Sequence, residues 1–472
     1  MINSNSLAEL AIIEKGILSG GDASFDSVSI DTRTLETGDL FIAIRGEAFD
    51  GHDYIARAES AGCCAIVAEA KIRSDKPHLQ IKNTTHALGS IAGLNRAAFK
   101  GTVFGLTGSS GKTTTKNMLA AILNLQAPTC STVGNFNNEI GVPLTLLKLE
   151  DQHKFAVVEM GARTQGDIAY LGQFVKPNVA ILLNAGIAHI DIFGSYENIV
   201  ATKGEIFSAL GEQGIGVINA DDPAAKIWAD LLGGKKIYSF SLKQPEKQPE
   251  LEGNAELSSL SENRVFKNCV WAENIDCQAA LSSYILRYEE QGQKVLLPTP
   301  GMHNVANSLA AAAAAIAVGI SLKDIARGLA LFENNAGRLE LVKLSGNVSI
   351  INDAYNANPD SMKAALNVLS LSEGYKAAVL GEMGELGDLS ESLHLEIAEF
   401  CAASNIDKFY LIGPHADKMK QCIGERAKAF NTKVLLAEQL GNELVSGETI
   451  LVKGSRFTAM DDVVEMMKRR VQ

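Results

Sequence analysis

The feature that most constrains the fold is a glycine-rich loop that stands between a strand and a helix. Residues 107–114 spell Thr-Gly-Ser-Ser-Gly-Lys-Thr-Thr and follow the apolar run 102–106. Backbone N–H groups in such a loop point inward, and the helix that follows adds the positive end of its dipole. The order of strand, loop and helix predicts an anion site at the carboxyl edge of an α/β sheet.

The loop has the chemistry of a nucleotide phosphate site. The Lys112 side chain can reach β- and γ-phosphates, and the Thr113 hydroxyl can ligate Mg²⁺. The pattern is shortened, because Leu106 stands where the longer form has glycine, and a surface glycine turn before a helix is the alternative. We predict that ATP and Mg²⁺ bind here, with the nucleotide held by Gly108, Ser109, Ser110, Gly111, Lys112, Thr113 and Thr114.

Composition narrows the class of protein. The chain has 472 residues and a net charge of −12, which predicts two or three domains and disfavours sequence-independent nucleic-acid binding. Seven scattered cysteines with no C-x-x-C spacing are typical of reduced thiols in a cytoplasmic protein. Residues 295–322 lack Asp, Glu, Lys and Arg, but prolines and asparagines interrupt them, so we predict a buried helix and no membrane span.

Strand–helix alternation predicts an α/β protein of three domains. A small α/β N-terminal domain covers residues 1–83, and a central P-loop domain with an ATPase-like parallel sheet covers 84–319. A C-terminal Rossmann-like α/β domain covers 320–472, where the alternation restarts. The polar segment 243–263 is predicted to be a surface loop. The strand candidates are 28–30, 40–44, 64–68, 102–106, 155–158, 179–183, 216–218, 348–352, 377–380, 408–412 and 449–452.

Polar residues follow several of these strands, where an open sheet places its ligands. Glu159 ends the strand 155–158 and is a candidate Mg²⁺ ligand, with a helix cap or salt bridge as the alternative. His189 follows the next strand and has either a metal or phosphate role or a structural one. Lys203 lies on a predicted helix, where an ordinary surface lysine is the local interpretation.

Two further polar clusters follow strands of the last domain. The first is 353–360, Asp-Ala-Tyr-Asn-Ala-Asn-Pro-Asp, and the second is 453–456, Lys-Gly-Ser-Arg. Asx residues before proline are often only turn formers. Since both clusters stand at strand carboxyl ends, a second ligand site is also predicted.

Taken together, these stretches resemble the Mur ligase family, the ATP-dependent amide-forming enzymes of peptidoglycan precursor synthesis. The resemblance covers nearly the whole chain, and in this family the shortened loop is the usual form. Within the family, the 353–359 string resembles the branch that adds D-alanyl-D-alanine. The stretches that carry the resemblance are 31–33, 38–41, 50–52, 107–113, Glu159, 184–189, Lys203, 301–307, 337–338 and 453–456.

The resemblance implies a role for each domain and for named residues. The first domain would hold the UDP end of UDP-N-acetylmuramoyl-tripeptide, the second ATP, and the third D-alanyl-D-alanine, in a cytoplasmic monomer. Catalysis would use Lys112, Lys203 and His189. Mg²⁺ would be held by Thr113, Glu159, His189 and a carbamylated Lys203. The nucleotide would also touch Asn307, Arg338 and Asp353, and the substrates Ser29, Thr32, Arg33, Asn356, Asn358, Lys453, Ser455 and Arg456.

Other functions stay open at this point. Another amide ligase of the superfamily, of the diamino-acid-adding or folylpolyglutamate type, would have a similar loop. A P-loop kinase or a nucleotide-gated binding protein would share only the nucleotide site. A ligase must exclude water from its reactive acyl phosphate, so we also expect the last domain to close over the central one.

Overall fold

The structure is a computed structural model that describes residues 1–46, 49–186, 190–245 and 264–471. It contains three α/β units, each built on its own main sheet, which confirms the predicted fold class. The seven cysteines are free thiols. In the described residues, no helix combines the length and apolar character needed to cross a bilayer.

The first unit is a five-stranded sheet in the order β2-β7-β6-β5-β4, beside a small β1–β3 ladder. Its pairs are parallel except at the β2 edge. Leu7 and Leu10 of its first helix are fully buried against strand residues such as Leu40 and Val67. The elements are β1 (Asn5–Ser6), α1 (Leu7–Glu14), β2 (Ile17–Ser19), β3 (Ser24–Phe25), β4 (Val28–Ser29), β5 (Leu40–Ile42), α2 (Ile55–Ser60), β6 (Ala65–Ala68) and β7 (His78–Gln80).

The central unit is a nine-stranded sheet in the order β16-β15-β14-β13-β12-β11-β8-β10-β9. The strands from β9 to β14 are parallel, and β15 and β16 add an antiparallel edge. Its elements are α3 (Thr84–Ala98), β8 (Thr102–Thr107), α4 (Lys112–Asn124), β9 (Thr129–Ser131), α5 (Gly141–Leu146), β10 (Phe155–Glu159), α6 (Asp167–Val175), β11 (Val179–Leu182), α7 (Ile190–Phe193), α8 (Tyr196–Gly204), β12 (Ile215–Asn219), α9 (Ala225–Leu231), β13 (Lys236–Ser241), β14 (Cys269–Cys277), β15 (Ser282–Tyr288), β16 (Gln291–Leu297), α10 (Met302–Ala317) and α11 (Leu322–Ala330).

The third unit is a six-stranded sheet in the order β17-β18-β22-β19-β20-β21, parallel except at the β17 edge. The chain order reverses beside β22, so the loops after β18 and β22 open at a topological switch point. Its elements are β17 (Glu340–Lys343), β18 (Ser349–Asp353), α12 (Pro359–Ser370), β19 (Lys376–Leu380), α13 (Ser390–Ala403), β20 (Lys408–Ile412), α14 (Ala416–Ile423), β21 (Ala427–Phe430), α15 (Lys433–Asn442), β22 (Thr449–Lys453) and α16 (Asp461–Arg470).

Packing shifts one domain boundary from the position expected from sequence. Helix α11 packs on α4 and β16, and Leu322, Ile325 and Phe332 belong to the central core. The central unit therefore extends to about residue 332, beyond the expected limit at 319. Helix α10 is almost wholly buried in that core, which confirms the buried helix predicted in 295–322 for residues 302–317, whereas residues 295–297 belong to strand β16. Most of the predicted surface loop at 243–263 lies outside the described residues.

Candidate active site

A cleft of about 1420 Å³ lies where the three units meet. The first unit contributes Ile30, Arg45 and Gly46 to its wall. The sequence-predicted residues that line it are Ser109, Ser110, Gly111, Lys112, Thr113, Thr114, Glu159, Asn307, Arg338, Asp353, Asn356, Asn358, Lys453, Ser455 and Arg456. The site therefore gathers groups that are far apart in sequence.

The glycine-rich loop is shaped by close backbone packing. Gly111 caps α4 with φ +78°, and a Cβ there would stand 2.2 Å from Oδ1 of Asn307 on α10. Lys112 folds back, and its Nζ donates to the carbonyl oxygen of Gly108 at 2.6 Å. Desolvation lowers the pKa of Lys112, the Glu159 carboxylate opposes this shift, and Arg338 adds to it. When a nucleotide binds, the Lys112 ammonium can therefore exchange its hydrogen bond to the Gly108 carbonyl for one to a phosphate oxygen.

The loop that follows β11 clamps the glycine-rich loop from the side. Strands β8 and β11 are parallel neighbours, with Leu182 opposite Thr107, so their following loops emerge together. The N–H of Ser110 donates to Asn184 Oδ1 at 3.0 Å, and the N–H of Ser109 donates to the Asn184 carbonyl at 3.2 Å. His189, predicted on this loop, lies outside the described residues.

Glu159 lies at the end of β10 and is 1% exposed. Its Oε1 accepts from Thr113 Oγ1 at 3.3 Å and from Asn137 Nδ2 at 2.8 Å. Its Oε2 is buried and has no hydrogen-bond partner among the described residues; Lys116 Nζ stands 4.0 Å away. A buried carboxylate oxygen left without a donor is costly, and a divalent cation shared with the Thr113 hydroxyl would satisfy it.

Lys203 is buried, in contrast to the surface position that its local sequence suggests. It is 2% exposed, and its Nζ lies 5.4 Å from the Phe193 ring centroid. The ammonium makes no hydrogen bond to the residues that the structure describes. Desolvation lowers the pKa of Lys203 to about 7, and the charge of Lys112 adds to the shift. A neutral amine is therefore well populated at neutral pH.

The third unit presents a buried ion pair to the cleft. Asp353 and Lys453 end the adjacent parallel strands β18 and β22 in register, and Lys453 Nζ lies 2.6 Å from Asp353 Oδ2. Lys453 also donates to the Asn356 carbonyl at 2.9 Å. Ser455 Oγ accepts from the N–H of Gly384 at 2.8 Å. Asn358 has a structural task, because its side chain caps α12.

Tyr355 joins the two cationic side chains of this wall, and its role was not predicted from sequence. The guanidinium carbons of Arg338 and Arg456 lie 4.1 and 5.1 Å from its ring centroid, and Arg456 Nη1 donates to its hydroxyl at 2.9 Å. The ring keeps both guanidinium groups at the cleft by cation–π contact and hydrogen bonding. In the sequence, the one indication of this role is that Tyr355 lies two residues after Asp353, which ends a predicted strand.

Three first-domain candidates do not reach the lining of the cleft. The Ser29 hydroxyl bonds the backbone of Asp31. Arg33 is paired with Asp31 at 2.6 Å, and its side chain is 78% exposed. Thr32 lies in the same turn. The uridine contacts predicted at Ser29, Thr32 and Arg33 therefore stay a prediction.

Two residues next to Glu159 were not predicted from the sequence. Lys116 is 1% exposed, and its Nζ donates to the carbonyls of Thr132 and Gly134 at 2.6 and 2.9 Å. Its spacing of four from Lys112 places both on one face of α4, which was the available signal. Asn137 lies in a loop after β9, and its contact with Glu159 has no local sequence signal.

Comparisons with known proteins agree with this architecture. The Mur ligase middle domain model matches residues 106–315, the Mur ligase glutamate ligase domain 337–456, and the Mur ligase family catalytic domain 24–96. The UDP-N-acetylmuramoyl-tripeptide--D-alanyl-D-alanine ligase of Escherichia coli (strain K12) is 39% identical over 98% of both chains. The Bacillus subtilis (strain 168) protein of the same name is 33% identical over 93% of this chain and 92% of its own.

Solved structures agree with these family and sequence matches. A crystal structure of MurF from Acinetobacter baumannii superposes with a TM-score of 0.89 at 32% identity and covers 99% of both chains. MurF ligase from Thermotoga maritima in complex with ADP has a TM-score of 0.82 at 28% identity, over 94% of this chain and 97% of its own.

Proposed function

Since the chain belongs to the Mur ligase family, we propose that it is an ATP-dependent ligase that joins D-alanyl-D-alanine to UDP-N-acetylmuramoyl-tripeptide. The product would be the pentapeptide precursor of peptidoglycan. The observation that carries the proposal is the shared cleft: the Lys112 loop and Glu159 face the Asp353–Lys453 wall, and the first unit closes the third side. Such a site can hold three substrates at once.

The first chemical step activates the tripeptide carboxylate. One of its oxygens attacks the γ-phosphorus of ATP, the bond to the β-bridging oxygen breaks, and ADP leaves. The reaction brings two anions together, so the site must supply positive charge. Lys112 and Arg338 line the same cleft and can neutralise the transferring phosphoryl group without moving from their own loops.

A divalent cation fits the donor set at the end of β10. Thr113 Oγ1 and the free Glu159 Oε2 are the oxygens that would hold Mg²⁺, with His189 as the further predicted ligand. When bound, Mg²⁺ supplies charge neutralisation on the phosphates. We also propose that the neutral Lys203 amine adds to CO₂ and releases one proton to solvent to form a carbamate, which would be an anionic oxygen ligand for a divalent cation.

The second step makes the amide. The dipeptide ammonium loses a proton, and its nitrogen attacks the acyl carbon. The nitrogen then loses a second proton, and the carbon–oxygen bond to phosphate breaks as inorganic phosphate leaves. The tetrahedral oxyanion needs cationic or N–H donors. Lys112 can provide one of them, because its pKa shift arises from a water-poor loop in which a charge interaction is strong.

The direct test is phosphate release from ATP with UDP-N-acetylmuramoyl-tripeptide, measured with and without D-alanyl-D-alanine. Turnover should require the dipeptide and should yield the pentapeptide by mass spectrometry. Release that instead requires a diamino acid or glutamate would assign a sibling reaction. Phosphate transferred to a stable acceptor would assign a kinase, and amine-independent turnover would contradict a ligase.

A variant pair tests whether this turnover uses the glycine-rich loop. Lys112→Ala should lower kcat by at least about 10²-fold, the effect of removing one well-placed transition-state donor. Lys100→Ala, at an exposed position before β8, is the matched control and should keep wild-type kcat. Unchanged product formation in Lys112→Ala would overturn the proposed mechanism.

A further inference from the structure

Asp222 is a buried acid that has no part in the chemistry above. It follows β12, is 8% exposed, and is not one of the described residues that line the cleft. Its Oδ1 accepts from the N–H of Ala224 at 2.9 Å, and its Oδ2 accepts from the N–H of Ala185 at 3.0 Å. Burial raises the pKa of its carboxyl, and these two N–H groups oppose the shift. The carboxylate therefore joins its own turn to the loop that follows β11.

The contact with Ala185 fixes one side of the segment 183–186, here called the clamp segment. Next to this contact, Asn219 Nδ2 donates to the carbonyl of Leu183 at 3.0 Å. Asn219 and Asp222 belong to the same turn, and Asn219 Oδ1 accepts a backbone N–H of that turn at 3.0 Å. One turn thus holds both a carbonyl and an N–H of the clamp segment.

The other side of the clamp segment contacts the glycine-rich loop. The Asn184 carbonyl and side chain accept from the N–H groups of Ser109 and Ser110. The Ser109 hydroxyl donates to the Gly186 carbonyl at 3.1 Å. Because the N–H groups of such a loop are the donors that bind phosphates, a displacement of the clamp segment would displace the phosphate site.

The clamp segment has little freedom between these two loops. The N–H of Leu183 donates to the Thr107 carbonyl at 3.0 Å, and a Cβ on Gly108 would stand 2.9 Å from Leu183 Cβ. In this set of contacts Asp222 supplies the carboxylate, and hydrogen bonds to an ionised acceptor are roughly twice as strong as neutral ones. Loss of this one side chain should therefore loosen the clamp segment most.

Given the proposed ATP-dependent reaction, we propose that Asp222 is a positioning residue for the nucleotide. It holds Ala185, and through the clamp segment it sets the place of the Ser109 and Ser110 N–H groups. Asp222 touches no ligand and acts through Ala185. The inference rests on the proposed function for the identity of the nucleotide, and the contacts that carry it belong to the protein alone.

Calorimetry with ADP and Mg²⁺ tests this role directly. Asp222→Ala should weaken ADP binding about tenfold or more, the factor that corresponds to losing a hydrogen bond to a charged acceptor. Asp222→Ser should lose as much. Its hydroxyl can bond the N–H of Ala224 within the local turn, but the side chain is shorter and cannot also serve Ala185.

Asp221→Ala is the matched control for loss of a carboxylate from the same turn. Asp221 also accepts two hydrogen bonds, from Ser241 Oγ at 2.6 Å and from the N–H of Leu242 at 2.7 Å. Both donors follow or end β13 and lie outside the clamp segment, so the ADP Kd should stay within about twofold of wild type. An unchanged ADP Kd in folded Asp222→Ala would overturn the proposal. Wild-type affinity in Asp222→Ser would also overturn it, because the local turn would then suffice.

Steady-state kinetics separate this role from a general loss of structure. The KM for ATP should rise about tenfold in Asp222→Ala, while the KM values for D-alanyl-D-alanine and the UDP-tripeptide stay within about twofold. An equal rise in all three KM values would indicate that the whole cleft has loosened. That result would overturn a role specific to the nucleotide loop.

Hydrogen exchange tests the positioning role without any ligand. Exchange of the Ala185 amide should accelerate at least about tenfold in Asp222→Ala, and that of the Ser109 and Ser110 amides at least about threefold, because their acceptors lie on the loosened segment. Asp221→Ala should leave all three amides near wild type. Acceleration confined to Ala185 would overturn the coupling to the glycine-rich loop.

Wild-type measurements keep the inference falsifiable if the Asp222 variants do not fold. Coupling between two events is reciprocal, so saturating ADP should slow exchange of the Ala185 amide about tenfold, and no slowing would overturn the proposal. A wild type that binds ADP without dipeptide-dependent turnover would refute the ligase reaction, and the ADP affinities would still decide the role of Asp222. A wild type that binds no ADP would overturn both.

Discussion

At the scale of single residues, one carboxylate oxygen of Glu159 has no hydrogen-bond donor among the described residues, and a bound ligand would give it a partner. One carboxylate oxygen accepts two hydrogen bonds and the other accepts none from the described residues. Lys116 Nζ lies 4.0 Å from this oxygen, which is ion-pair distance but beyond a hydrogen bond, and two of its three protons go to carbonyls. The unused oxygen is the physical reason to expect that a cation completes this site.

Glu159→Gln should therefore raise the Mg²⁺ concentration needed for half-maximal turnover about 10- to 100-fold, because an amide is a weaker cation ligand than a carboxylate. Titration of phosphate release with Mg²⁺ at saturating ATP measures this. Glu212→Gln, at an exposed position, is the control and should not move the midpoint. Superimposable Mg²⁺ curves for Glu159→Gln and wild type would remove Glu159 from the metal site.

The lowered pKa of Lys203 predicts that carbamate formation on this residue depends on pH. Its folded-state pKa is lowered to about 7, so the ammonium dominates below pH 7 and the neutral amine, the form that reacts with CO₂, dominates above it. At fixed dissolved CO₂, the carbamate signal in ¹³C NMR should grow by more than about tenfold from pH 6 to pH 8, because the neutral fraction of the amine rises about tenfold and carbamate formation releases a further proton. The signal should vanish in Lys203→Ala. A pH-independent signal, or one that survives in this variant, would contradict the assignment.

At the scale of elements, the start of α4 depends on the fit of two helices. Gly111 has a positive φ, and Asn307 of α10 occupies the space that a side chain would need. Asn307 in turn donates to Asn304 Oδ1 at 3.3 Å, and Asn304 bonds the Pro300 carbonyl at 2.8 Å. The nucleotide loop is thus built against the first turn of α10, far along the chain.

Gly111→Ala should weaken ADP binding at least about tenfold, because Asn307 must move away from the loop. Gly166→Ala is the matched control: Gly166 also caps a helix with positive φ, +93°, but a Cβ there would meet no atom of the described residues within 4 Å. Both variants should lose about 1 kcal/mol of unfolding free energy from backbone strain, measured in urea. Equal ADP affinities in calorimetry would show that the Asn307 contact is unimportant.

At the scale of the whole molecule, the third unit touches the central unit beside the reactive groups. Asp360 stands over Gly186, and Gly387 packs on Asp191 of α7. Each contact joins a loop of one unit to a loop of the other. Interfaces between domains of one chain commonly allow the domains to move relative to each other, so we expect bound substrates to decide how far the cleft is closed.

A non-hydrolysable ATP analogue with the UDP-tripeptide should lower the radius of gyration in small-angle X-ray scattering. Gly387→Ala should reduce this change, because a Cβ there meets Asp191 at 2.8 Å. The control is Gly346→Ala. Gly346 lies in the same unit and also has a positive φ, +70°, but a Cβ there would meet no atom within 4 Å in the part of the chain that the structure describes. Identical profiles with and without ligands would refute ligand-driven closure.

Sequence patterns located eleven of the 22 described strands, mainly the buried parallel ones, and the polar residues that follow them. Continuous apolar runs are buried on both faces of parallel sheets, so the strands that end at Asp353 and Lys453 were found within a residue. Ion pairing between those two ends, 100 residues apart, follows from strand order, which no local pattern contains. The same holds for α11, whose local pattern resembles that of the third unit but whose apolar face packs on α4.

The chain by itself determined three sheets and a phosphate loop, because apolar periodicity and glycine placement act over a few residues. Only the tertiary structure decided that Lys203 is buried, that one Glu159 oxygen accepts no hydrogen bond from the described residues, and that His394 Nε2 accepts from the N–H of Met383. Burial and hydrogen-bond satisfaction depend on which segments meet in space. These properties arise only when elements from distant parts of the chain exclude water from the same place.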